Sequence, residues 1–290
     1  MGSAEPMGFL DGYFLWRDPL LAATALAVAC GYLGIYVILK RVVFMVAALG
    51  QVASVGVATT FLVADLLGLA VGHAHQGPVW LNPMAVALAF VVVTAVVLSA
   101  PASYRRLTPE SVVGLAYLAA AAAVVLIAHR IPQGAHDIDD ILFGSAVAVE
   151  GSQLAVVLGL VAVLAVVHLV LFKEFVFVSF DAGMAATLGL PTRRLNAALF
   201  VGIGVLIAAA TRTVGALPVF AFLVLPPLGA LLATRRLKSA FVASTLLAAL
   251  AAVLGYYLSW VGDLPTGATM VAVAVGLLPG CALLGRLRRH

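Results

Sequence analysis

Ser179-Phe180-Asp181-Ala182-Gly183-Met184-Ala185-Ala186-Thr187-Leu188-Gly189-Leu190-Pro191 decides how the chain is folded, because it is a short helix signal set between two apolar runs. Asp181 is a good N-cap, Ala182 to Leu188 can form two turns, and Gly189 with Pro191 ends them. Lys173 precedes the stretch, and Arg193 and Arg194 follow it. The runs on either side, Leu154 to Phe172 and Leu195 to Ala210, read as bilayer crossings. The spacing therefore predicts a short helix lying outside the membrane between two crossings.

Further apolar runs extend outward in both directions. They are Pro19 to Leu39, Val42 to Val71, Met84 to Ala100, Ser111 to Ala128, Val214 to Ala233, Ala240 to Trp260 and Ala268 to Leu284. Of 290 residues 64% are hydrophobic and 10% charged, with mean hydropathy +1.18. A soluble domain cannot bury so much apolar surface, whereas nine crossings of roughly 20 residues would consume most of it. The expected architecture is an all-α polytopic membrane protein, residues 1–290 forming one transmembrane domain. It has nine crossings, or eight if the segments around Thr211-Arg212-Thr213 are half-helices or unequal crossings. Residues 1–18 carry Glu5, Asp11 and Asp18 against Arg17, the reverse of a cleaved leader's charge, and read as mature protein. Their aromatic residues suit an interfacial segment.

Charge sets the orientation. Lys40, Arg41, Arg105, Arg106, Lys173, Arg193, Arg194, Arg235, Arg236, Lys238, Arg286, Arg288 and Arg289 fall on one side, against Arg17, Arg130 and Arg212 on the other. Because Lys- and Arg-rich loops stay cytoplasmic, this split places the N-terminus outside and the C-terminus in the cytoplasm of a cell that holds the protein in its plasma or inner membrane. The same clustering between apolar runs explains the pI of about 9.3 without nucleic-acid binding. Cys30 and Cys281 sit in apolar runs and form neither a disulfide framework nor a zinc motif. None of the three lysines lies in a phosphate-cradling Gly-x-x-x-x-Gly-Lys loop, and Gly144-Ser145 lacks the rest of a nucleophile elbow. An enzyme is not indicated, and any ATP must be hydrolysed by a partner.

The Ser179–Pro191 stretch resembles the coupling region of the zinc, manganese and iron permeases of ATP-binding-cassette importers, which reads Phe-Asp, a short Ala-rich helix, then Gly-Leu-Pro. Leu142-Phe143-Gly144, Val214-Gly215-Ala216-Leu217, Leu225-Pro226-Pro227 and Asp263-Leu264-Pro265-Thr266-Gly267-Ala268 follow that family's order across about Phe14 to Leu284. The resemblance implies a permease subunit that binds no cofactor of its own. Its implied partners are a second copy of itself, cytoplasmic ATPase subunits and an extracytoplasmic solute-binding protein. It also implies that Ser179, Phe180, Asp181, Leu188, Gly189 and Pro191 couple the chain to the ATPase.

The sequence departs from that family at one place. Near the start of the second crossing such permeases carry Asp-Ala-Leu-Ser-His, an acid and an imidazole four residues apart on one helical face. Aligning Gly56 with the family's glycine puts Ala47 at the acid and Gln51 at the histidine. Alanine is no ligand and an amide oxygen is a weak one for a zinc-like ion. Gln51 reads either as a polar contact in the transport path or as one end of an interhelical hydrogen bond.

Asp65 is a second path candidate, near the outer mouth, or else an acid reaching the interface; His168 and Arg212 are expected to snorkel or pair, and Glu150 to face a cavity, a partner or a helix end. On the outer side His73, His75, His129 and His136, with Asp137, Asp139 and Asp140, supply zinc-type ligands without a closed four-ligand motif. Two functions are carried forward: a permease importing a divalent metal or a metal-containing solute, and a non-transporting scaffold or regulatory subunit of such a system.

Overall fold

A computed structural model describes residues 13–68, 82–99, 108–130 and 151–287, all of whose regular elements are helices. In chain order these are α1 (Tyr13–Leu39), α2 (Val43–Leu66), α3 (Pro83–Ser99), α4 (Pro109–Arg130), α5 (Gly151–Val170), α6 (Phe172–Phe180), α7 (Ala182–Thr187), α8 (Thr192–Val214), α9 (Ala216–Ala233), α10 (Leu237–Gly262) and α11 (Thr266–Leu287). Eight of them are long and apolar enough to cross a membrane; α3, at 17 residues, is shorter.

Three boundaries differ from the sequence reading. The helix that holds the first crossing does not begin at Pro19: α1 runs back through it to Tyr13, so residues 13–18 are continuous with that helix. A spanning helix tolerates a proline where neighbouring groups satisfy the freed carbonyl. The break between the two crossings near Arg212 lies at Gly215, φ 96°, and both α8 and α9 are long enough to span. Finally, the stretch between the crossings α5 and α8 contains a second helix, α6, because the chain turns at Leu171 before Phe172.

Two groups of helices carry the packing. One joins α1, α9, α10 and α11, and the other joins α2, α3, α4 and α8, with α8 and α2 touching α9 across the middle. Lipid tails are as apolar as leucine, so helices in a bilayer associate by close approach and interhelical hydrogen bonds rather than by the hydrophobic effect. Here Ser244 on α10 donates to the Gly31 carbonyl of α1 at 2.6 Å, both in the fully buried interior. Gly34 admits an unusual neighbour: a Cβ there would collide with the Leu223 carbonyl and with Pro227 of α9. Gly56, Gly202 and Gly204 are likewise packed against other helices, whereas Gly50, though buried, leaves room for a Cβ beside it.

The core is centred on α1. Tyr36 is fully buried, its ring near those of Tyr32, Phe175 and Phe241. His168 of α5 joins them at 1% exposure and does not snorkel to the surface. Its Nδ1–H donates to the Leu164 carbonyl at 2.9 Å, and its ring lies 4.9 Å from that of Phe175. It is a core aromatic. Otherwise α5 is largely exposed, as suits a helix facing lipid on most sides.

Candidate functional site

The second crossing presents Ala47, Gln51, Val55 and Thr59 at four-residue spacing, all partly exposed, while most of their neighbours on α2 are buried. Residues four apart share a helical face, so these line one stripe. Its hydroxyl is taken up by the helix's own backbone: Thr59 donates to the Val55 carbonyl at 2.7 Å. Ser54 and Thr60, on the buried side, donate to Gly50 and Gly56 at 3.2 and 3.0 Å. Gln51 makes no hydrogen bond to a described residue, so the interhelical bond expected of it is not formed among them. The stripe therefore offers one amide, no carboxylate and no imidazole.

Asp65 ends the same helix and is exposed. His129 is exposed at the end of α4, and Arg212 at the end of α8. His73, His75, His136, Asp137, Asp139, Asp140, Glu150 and the Leu142-Phe143-Gly144 motif lie outside the described residues. Among the described residues no group of three or more His, Cys, Asp or Glu side chains could hold a metal ion. The structure thus gathers no closed ligand set from the sequence candidates within its described part.

The Ser179–Pro191 stretch folds as its sequence predicts. Asp181 is extended, φ −147° and ψ 92°, and its Oδ1 accepts from the Met184 N–H at 2.8 Å. Four N–H groups at a helix start lack intrahelical partners, and the cap satisfies one of them. At the other end Gly189 takes φ 81°, Leu190 N–H bonds the Ala185 carbonyl at 3.1 Å and Gly189 N–H bonds Ala186 at 3.0 Å. This pair of bonds is the Schellman arrangement, in which a left-handed glycine closes the helix.

The result is a six-residue helix standing on α6 and α8, with Ala185 buried beneath it. Around it Phe180, Met184 and Leu188 are 62%, 58% and 67% exposed, and Asp181, Gly189 and Pro191 are exposed too. Ser179 is buried, and its hydroxyl has no partner among the described residues.

One participant had no signal in the sequence. Lys40, at the turn after α1, extends its ammonium to Asn196 Oδ1 of α8 at 2.6 Å and to the Val178 carbonyl of α6 at 3.3 Å. It lies 5.8 Å from the centre of the Phe200 ring. Burial, with no carboxylate partner among the described residues, pushes its pKa down from 10.5 to about 8. The contact joins positions 156 residues apart, so no local pattern could announce it. It also sets the α1–α2 turn beside the α6–α8 region, as expected if both lie on one side of the membrane.

The model of the ABC 3 transport family matches residues 13–283. The manganese transport system membrane protein MntC of Halalkalibacterium halodurans is 27% identical over 266 residues, 91% of this chain and 85% of that protein. The manganese import system permease protein ScaB of Streptococcus parasanguinis is 24% identical over 267 residues, 91% and 89% of the two chains. The chelated iron transport system membrane protein YfeD of Yersinia pestis is 26% identical over 263 residues, 90% and 82%. Among solved structures, PsaBC from Streptococcus pneumoniae in complex with Fab matches with TM-score 0.80 at 22% identity, covering 96% of both chains.

Proposed function

We propose that this chain, which belongs to the ABC 3 transport family, is the permease subunit of an ATP-binding-cassette importer that brings a divalent metal of the manganese or zinc type, or a metal-containing solute, into the cytoplasm. It is a multi-pass membrane protein. In this reading all nine apolar segments cross, α3 as a short crossing of about 26 Å at 1.5 Å per residue. The N-terminus then lies outside, by the distribution of basic residues. Two copies of the chain pair, an extracytoplasmic binding protein delivers cargo to the outer mouth, and ATPase subunits dock from the cytoplasm.

The observation that carries the proposal is the capped helix α7 with its exposed Phe180, Met184 and Leu188. A six-residue helix closed at both ends is a built element, and large apolar side chains gathered on a water-facing surface mark a contact site. On the cytoplasmic side of a transport subunit with no phosphate-binding loop, the occupant is the ATPase. Nucleotide-driven movement of that partner would push α7, and α6 and α8 would carry the displacement into the helices that line the path.

The names of the relatives favour manganese or chelated iron as cargo classes. The stripe on α2 favours passage without a bare ion bound at that level, since Ala47 and Gln51 offer only a weak amide oxygen. The same stripe motivates the second reading, a subunit that has ceased to transport and serves as a scaffold.

The test is ATP-dependent uptake of labelled manganese, zinc and chelated iron into proteoliposomes holding the permease with its ATPase and binding protein. Uptake of any one supports the permease; intact assembly with no uptake of any supports the scaffold. Gln51→Ala should assemble normally and retain uptake, and the purified complex should hold no stoichiometric metal at Gln51. Metal bound against Gln51, or loss of all uptake in that variant, would identify the position as a binding step after all.

A further inference from the structure

The turn after α1 is built to aim one side chain. Arg41 N–H bonds the Ile38 carbonyl at 3.1 Å, Val42 N–H bonds Val37 at 3.1 Å, and Arg41 is left-handed at φ 57°. These are the two bonds of a Schellman closure, with Lys40 as the last half-helical residue. The backbone that launches the Lys40 side chain is therefore fixed to α1, which packs against α9 and α10 in the core.

The acceptors belong to the two arms that hold α7. Val178 lies in the last turn of α6, where carbonyls lack intrahelical donors, and Asn196 lies in the second turn of α8. Helix α6 rests mainly on α8 and only lightly on α1, and α7 rests on α6 and α8. Lys40 thus bridges α1 to both arms at once, and its acceptors are neutral, so the bond can be broken without stranding a buried carboxylate.

We propose that Lys40 is a positioning residue for coupling: by holding Val178 of α6 and Asn196 of α8 against the end of α1, it transmits displacement of α7 to the α1–α9–α10–α11 group. The coupling role rests on the reading of α7 as the ATPase docking element; the tie itself does not.

Both levels are tested with the full chain in lipid nanodiscs and with the reconstituted transport complex. Hydrogen exchange is followed in peptides covering residues 172–200, and labelled manganese(II) moved per ATP hydrolysed is measured in proteoliposomes. Lys40→Met and Asn196→Ala should raise exchange at residues 178–196 by about tenfold, the effect of losing a hydrogen bond to a charged group, with α9 to α11 unchanged. Asn196→Asp should lower it, because an ion pair replaces a neutral acceptor 2.6 Å from the ammonium. That opposite sign separates a tie from general damage, and it keeps the question decidable if Lys40→Met fails to fold.

In the complex, Lys40→Met should bind the ATPase yet move less manganese per ATP. Unchanged exchange in Lys40→Met and Asn196→Ala overturns the tie whatever the partner does. Altered exchange with an unchanged transport ratio overturns the coupling role alone. A wild-type chain that binds no ATPase through α7 defeats the functional reading and the coupling role with it, while the exchange data still decide the tie.

Discussion

Replacing Asp181 with alanine removes the side chain that accepts from the Met184 N–H at 2.8 Å. Helix α7 has only six residues, and its backbone bonds include Ala185 N–H to the Asp181 carbonyl at 3.1 Å and Leu188 N–H to Met184 at 3.2 Å. Nucleating so short a helix is unfavourable, so the cap contributes a large share of its local stability. Loss of an N-cap to alanine costs about 1 kcal/mol, or roughly a fivefold fall in the ratio of formed to unformed helix. Amides of Met184 to Leu188 should then exchange about fivefold faster in the nanodisc-embedded chain, and affinity for the ATPase should fall by a similar factor. Asp181→Asn keeps an acceptor oxygen and should stay within a few tenths of a kcal/mol of wild type, and Asp181→Gly should fall between the two. Exchange in Asp181→Ala equal to wild type would refute the claim that the cap holds α7. Equal damage from Asn and Ala would show that carboxylate charge, not the capping bond, is what counts.

Other expectations concern orientation and pH. Ala182→Cys, at an exposed position, should react with a membrane-impermeant maleimide only from the cytoplasmic side, against low background because Cys30 and Cys281 are buried; labelling from outside intact cells would overturn both the orientation and the docking assignment. Lys40 has a folded pKa of about 8, below its ordinary 10.5, so the folded state gives up the proton more readily than the unfolded state and stability from this residue rises between those two pH values. Thermal unfolding of wild type against Lys40→Met should show their difference shifting in favour of wild type across that interval, and a pH-independent difference would exclude the shifted lysine.

Much of this arrangement is legible in sequence because membrane segments and helix caps are local. Apolar runs of crossing length and the Asp181 to Gly189 signals each depend on residues within a few turns, and the helices appear where those signals lie. Boundaries were less legible where two rules compete. Pro19 reads as a first-turn residue, yet α1 extends six residues before it. From sequence the crossing ends at Phe172 and no helix is expected between it and Asp181, yet the chain turns at Leu171 and starts a separate helix, Phe172–Phe180. His168 illustrates a different limit: an ionisable residue near a helix end is expected to reach for the interface, but three aromatic rings and the Leu164 carbonyl hold it inside. For the candidate site the sequence marks α7 and the missing ligands at 47 and 51. It carries no trace of Lys40 meeting Asn196, which depends on how distant helices pack.

Pro227 has no N–H, so the Leu223 carbonyl one turn earlier loses its usual intrahelical donor. Gly34 is the residue that closes over that carbonyl, in space a side chain would occupy. The two positions are consequently one unit of heredity although 193 residues separate them. Any larger residue at 34 collides with the proline ring as well as the oxygen, whereas exchanging the proline alone reshapes the surface that the glycine was fitted to. A scan of single substitutions would score both sites as intolerant, and only paired libraries could reveal alternative solutions, since contacting residues combine non-additively. The route by which this sequence can drift is therefore narrower at that crossing than its ordinary apolar letters suggest.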